Sequence, residues 1–135
     1  MSEDDVSSVQ RLYGLMESRD PAELRSSLTH DIELSLPEAV PWGGMYHGPD
    51  GVDTFVGILQ DHVEGPWADP DDFLDAGDRI VVLGRSCGRA RSSGQRFEVP
   101  FAHVWGLTDG MPSWFRAYFD TSPILAALHG SARSP

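Results

Sequence analysis

The stretch that most constrains the fold is residues 96–120, RFEVPFAHVWGLTDGMPSWFRAYFD. It is rich in aromatic and β-branched residues and is broken once, at Thr108-Asp109-Gly110. An Asp-Gly pair between two such runs is a hairpin signal, because the tight turn needs positive φ. Two strands joined by a tight turn are antiparallel neighbours, so a sheet must run here. The stretch holds Trp105 and Trp114, and with them His103 and Asp120, two side chains able to move protons.

Upstream, the same punctuation recurs at Gly77-Asp78 and Ser93-Gly94. The runs between these turns predict strands over 72–76, 79–91, 96–107 and 113–120, a β-meander. The first half of the chain has a different period. Val6, Val9, Leu12, Tyr13 and Met16 recur at helical spacing after Ser2-Glu3-Asp4-Asp5, which reads as a capped start. Asp20-Pro21, with Glu23 completing a capping box, opens a second, short helix that turns Leu24 and Leu28 inward. Ile32 to Leu36 alternates like a half-buried strand, closed by Pro37, and 38–47 reads as irregular. Gly48-Pro49-Asp50-Gly51 opens a third helix whose stripe is Val52, Phe55, Val56, Leu59 and Val63, with Gly65-Pro66 as its stop. After Pro123 a short helix carries Ile124, Leu125 and Leu128.

Helices first and a meander last predict an α+β domain, with helices on one face of an antiparallel sheet. At 135 residues the expectation is one domain over 1–130 and a frayed tail over 131–135. The net charge of −11 repels phosphate backbones and anionic headgroups, so neither nucleic acid nor membrane is the expected partner. The start of the chain is acidic through Glu3, Asp4 and Asp5 and no apolar run follows, so no signal peptide and a cytoplasmic protein are expected. Cys87 is the single cysteine, which precludes an intramolecular disulfide. The histidines at 30, 47, 62, 103 and 129 have no ligand-like spacing, so no metal is expected. A phosphate-cradling loop and a nucleophile elbow are both missing.

The order helix, short helix, strand, loop, helix and meander resembles the nuclear transport factor 2-like cone, over nearly the whole chain. Pro41-Trp42-Gly43-Gly44-x-Tyr46-x-Gly48 resembles the loop of the ketosteroid isomerase-related, SnoaL-like branch. Asp78-Arg79-Ile80-Val81-Val82 is similar to that branch's turn and strand. His103-Val104-Trp105, Asp109-Gly110 and residues 115–120 are similar to its closing hairpin. The resemblance implies a curved sheet around an apolar pocket, covered by three helices from the N-terminal half. It also implies a hydrophobic small-molecule ligand and a homodimer through the outer sheet face. Trp42, Tyr46, Phe55, Phe101, Trp105, Arg116, Tyr118 and Phe119 are the expected ligand contacts.

Against the isomerase pattern, Tyr13 matches the tyrosine of the first helix. Leu36 stands where the base would be, with Glu38 the nearest carboxylate, and Ala102 stands where a protonated Asp would be, beside His103. The polyketide cyclase pattern fits better, with His103 in the penultimate strand and Asp120 at the end of the last. The implied chemistry is cofactor-free isomerisation or aldol closure, with Asp120 as acid or base and His103 and Tyr13 assisting. A binding or dimerisation module of the same fold is the alternative. Water attack on an epoxide, using Asp120, Arg116 and Glu98, is the third reading.

Strand parity sharpens the question. Phe97, Val99, Phe101, His103 and Trp105 share one face, and Trp114, Arg116, Tyr118 and Asp120 share a face of the next strand. Parity alone leaves open which face lines the pocket. Pro100 marks a place where a bulge would shift the register.

Overall fold

The computed structural model describes residues 3–18 and 21–130. The caps expected from Ser2 and Asp20, and the tail from 131, lie outside the described residues. Ten elements follow in order: α1 (Glu3–Ser18), α2 (Pro21–Ser26), β1 (Glu33–Leu36), β2 (Gly44–His47), α3 (Gly48–His62), β3 (Val63–Asp75), β4 (Ile80–Ala90), β5 (Arg96–Thr108), β6 (Met111–Phe119) and α4 (Ser122–His129).

The strands form one six-stranded curved sheet in the order β2-β1-β6-β5-β4-β3. The meander β3 to β6 is antiparallel throughout, as the turn signals require. Asp109 and Gly110 have φ of 51° and 81°, the positive pair that a two-residue hairpin turn demands. β1 pairs parallel to β6, from Glu33 beside Trp114 to Ser35 beside Arg116, while β2 folds back on β1. Residues 44–47, expected to be irregular, are therefore a strand. Their ladder to β1 supplies an order that local sequence does not signal.

Two further boundaries differ from expectation. α3 ends at His62, ahead of Gly65-Pro66, because Val63 turns extended and pairs with Ala90 of β4. The Val63 N–H still bonds the Leu59 carbonyl, and its side chain stays buried, so it satisfies the helical and the strand pattern together. Gly65-Pro66 then lies within β3, at a register shift between Glu64 and Trp67. β3 thus begins nine residues before the 72–76 run that the sequence suggests. Pro100 causes no shift, since the β4–β5 register runs unbroken from Ile80 beside Trp105 to Arg89 beside Arg96. The β5–β6 irregularity is at Gly106 and Leu107 instead.

α1, α3 and α4, with Leu28 just beyond α2, contribute Val9, Leu12, Val52, Phe55, Leu59, Ile124 and Ala127 to one core with the inner sheet face, and Leu24 of α2 packs against it. Burying a large apolar side chain contributes roughly 1.5–3 kcal/mol, so this common core is the main cohesive term. Exposed ion pairs from Arg25 to Asp50 and Asp53 also tie α2 to α3, and each such pair adds at most about 1 kcal/mol. Among the described residues no helix is long and apolar enough to cross a membrane.

Candidate functional site

Inside the curve of the sheet lies a cavity of about 100 Å³. Its walls come from α1 (Leu12, Tyr13, Met16), α3 (Val52, Phe55, Val56, Leu59), the inner sheet face (Phe97, His103, Trp105, Phe115, Phe119) and Trp42. The helical stripes read from the sequence thus face this space. The wall is almost wholly apolar, and its two titratable side chains are Tyr13 and His103.

The two form a chain with Trp105. The Trp105 Nε1–H donates to the Tyr13 hydroxyl at 2.9 Å, and that hydroxyl lies 2.7 Å from His103 Nδ1. An indole can only donate, so the Tyr13 oxygen is the acceptor there. The Tyr13 hydroxyl still has its own proton to give, and in the tautomer with a bare Nδ1 it donates to that nitrogen. That assignment leaves the His103 ring proton on Nε2, which has no hydrogen-bond partner among the described residues.

Packing fixes the ring. Phe101 stacks on His103 with centroids 3.7 Å apart, and Phe115 meets it edge-on at 4.8 Å. Gly84 admits the close approach of β3 and of the Phe101 ring, because a Cβ there would fall 2.4 Å from the Asp69 carbonyl oxygen and 2.8 Å from that ring. Burial pushes the His103 pKa down to about 3, so the imidazole is neutral at neutral pH. Burial likewise raises the Tyr13 pKa, a shift partly opposed by the bond from Trp105, so the phenol is neutral too.

The other expected site residues divide by face. Trp42, Phe55, Trp105 and Phe119 line the cavity. Phe101 stands behind His103 rather than in the wall. Tyr46 also stays out of the wall: its hydroxyl donates to the Trp42 carbonyl at 3.0 Å and its ring packs on Phe55, so it holds the loop that carries Trp42.

Arg116 and Tyr118 are on the outer face and are exposed, which corrects their expected contact with ligand. With no register shift along 111–119 other than at its start, β6 turns Phe115, Ala117 and Phe119 inward and their neighbours outward. Arg116 lies over the Trp114 ring at 5.4 Å. Asp120 is exposed as well. Its Oδ1 accepts the Ser122 N–H at 3.0 Å, at the start of α4, so it organises a helix entry and does not reach the cavity. Glu98 points outward and bonds Arg85 at 3.3 Å, and Glu38 is exposed in an outer cleft with Arg116 and Tyr118.

Sequence reasoning missed Trp67, Ala68 and Ser86, which also line the cavity. Trp67 was hidden because Gly65-Pro66 reads as a helix stop followed by a loop. Its φ of 73° is unusual for a bulky residue, and it follows the register shift in β3. Its Nε1–H donates to the Val63 carbonyl at 3.0 Å. Ser86 was legible in principle, since it shares the parity of Ile80 and Val82. Among the described residues no three His, Cys, Asp or Glu side chains gather as metal ligands would.

A cone-like curved sheet closed by helices over an apolar cavity defines the nuclear transport factor 2-like class. Within that class the chain belongs to the SnoaL-like domain family, whose model matches residues 9–113. A nuclear transport factor 2-like protein of unknown function from Burkholderia pseudomallei is 28% identical, with a TM-score of 0.87 over 96% of this chain and 100% of that one. TerC, co-crystallised with polyporic acid, is 24% identical, with a TM-score of 0.84 over 94% and 99%. A protein with a ketosteroid isomerase-like fold from Catenulispora acidiphila, in complex with trimethylamine, is 16% identical, with a TM-score of 0.78 over 95% and 97%. Comparison with curated proteins gave no match.

Proposed function

We propose that the protein takes up a small, uncharged, hydrophobic carbonyl compound and polarises its oxygen with the His103 Nε2–H. The observation that carries this reading is the Trp105–Tyr13–His103 chain, which leaves one unpartnered donor on a residue of an apolar wall. Such pockets gain orientation from a few placed polar groups. A neutral donor aimed at a carbonyl oxygen stabilises the enolate that forms when a base brought in by solvent, water or hydroxide, takes an alpha proton. The reaction class is therefore isomerisation or aldol-type cyclisation, and the structurally similar proteins bound to polyporic acid and trimethylamine support a small-molecule site.

A second reading is binding without turnover. It is favoured by the position of Asp120, Glu38 and Glu98, since no carboxylate lines the cavity among the described residues. One experiment separates the two: cyclohex-2-enone is titrated in D₂O, and both its binding and its alpha-proton exchange are followed by NMR. Saturable binding that weakens about tenfold in His103→Phe, the order expected for one hydrogen bond, supports the donor role. Binding that is indifferent to His103→Phe overturns it. Exchange above the buffer rate identifies the enzyme, and binding without exchange identifies the binding module.

The outer face presents Met45, Leu74, Leu83 and Tyr118 to solvent. We propose that a second copy covers this face, which sedimentation of the full chain would test.

A further inference from the structure

Tyr13 borders two spaces. On one side is the inner cavity, and on the other is an open cleft of about 390 Å³ between α1 and the middle of β3. The cleft is lined by Gln10, Gly14, Pro66, Asp69, Pro70 and Phe73, and it shares Ala68 with the cavity as well as Tyr13. Gln10, Gly14, Pro66 and Asp69 are exposed or half-buried, so the cleft opens to solvent. On this side two shared residues, one of them only a methyl group, separate solvent from the interior.

From this we infer that ligands enter between α1 and β3, with Tyr13 as the movable wall and Gly14 and Phe73 as the residues that set the width of the passage. Phe73 meets Tyr13 edge-on with centroids 5.6 Å apart, and so braces the ring from the cleft side. The space beside Gly14 is empty: a Cβ placed there would meet nothing within 4 Å. A larger side chain at 14 would project into the passage without disturbing the helix, and glycine within a helix is otherwise unfavourable. Turning Tyr13 aside also breaks its bonds to His103 and Trp105, so entry and release of the His103 Nδ1 are one event.

The passage is independent of what the ligand is, so it is tested with benzene, which has no oxygen for His103 to hold. A dry cavity of roughly 150 Å³ is known to take up benzene. Exchange between free and bound benzene is measured by NMR magnetisation transfer on the full chain. Gly14→Trp should slow entry and exit together by about tenfold, leaving the affinity within about twofold, because a gate alters rates and not the end states. Tyr13→Phe should speed both by roughly tenfold, the order expected for the loss of two neutral hydrogen bonds. Phe73→Ala widens the passage from the other side and should act in the same direction. Gly57→Trp on α3, where a Cβ is also unhindered, serves as the control and should leave the rates unchanged.

Exchange rates that ignore both Gly14→Trp and Phe73→Ala overturn the passage while leaving the carbonyl-binding reading intact. A gated benzene with no preference for enones overturns that reading and leaves the passage. Where the cavity of about 100 Å³ excludes benzene, the same rates are read with the smaller xenon, and absence of uptake of both overturns the passage.

Discussion

Along β5 the side chains of Phe97, Val99, Phe101, His103 and Trp105 go inward and are buried, while Glu98 and Pro100, on the same strand, go out to solvent. β6 repeats the division: Phe115 and Ala117 are buried, and Arg116 and Tyr118 are exposed. The two faces share one backbone and one set of ladder hydrogen bonds, yet their chemistry is opposite. The inner face excludes charge so completely that its histidine is held neutral. The outer face carries ions in clusters, such as Arg85 among Asp69, Asp71 and Glu98. A polar group gains strength as a hydrogen-bond donor where water is absent, and an ion is tolerated only where water is present. The division therefore separates the candidate residues. His103 and Tyr13 line the cavity and carry the proposed role, and Asp120 and Arg116, though suited by type, face solvent.

Truncating each face in turn gives the largest expected contrast. Trp105→Ala removes a buried indole and the bond to Tyr13, and should cost about 3–5 kcal/mol in urea unfolding. Tyr118→Ala, 53% exposed in the single chain, should stay within about 0.5 kcal/mol. A large loss from Tyr118→Ala would mean that the outer face is covered in solution.

Acid should act through the inner face next. The unfolded chain protonates its histidine near 6.5, the folded chain only near 3, so the unfolded state binds more protons between these values. The contribution of His103 is thus fully present above pH 6.5 and is lost as pH falls toward 3. His103→Phe should flatten that part of the stability-versus-pH curve. An unchanged slope would show that the buried imidazole is not the group responsible.

The smallest effect is expected at Asp120. Asp120→Ala removes the bond to the Ser122 N–H and should cost about 1 kcal/mol, while ligand affinity stays as it was. A loss of affinity or turnover in Asp120→Asn would return Asp120 to the site.

Much of this division is legible in the amino-acid sequence. Alternation along 97–105 separates the two faces of β5, and the helical stripes name Leu12, Met16, Val52, Phe55 and Leu59 as inward-facing. What alternation lacks is a sign. Which face looks inward is decided by where the helices lie, a tertiary fact. The resemblance to the cyclase pattern favours Asp120, but its position one residue past β6 makes it a turn residue. Trp67 escapes because a register shift within β3 follows neither the period of a strand nor that of a helix. The bond from Tyr13 to His103 joins the first helix to the fifth strand and leaves no trace in local pattern.

The parallel pairing of β1 with β6 has a consequence for synthesis and folding. Leu34 finds its neighbour Phe115 only when nearly the whole chain exists. During translation β1 and β2 have no β6 to join until the last strand has been made. Contacts so distant along the chain slow folding and lengthen the time that apolar surface stays uncovered. A chain cut before Met111 would leave β1 joined to β2 alone and the cavity without Phe115 and Phe119.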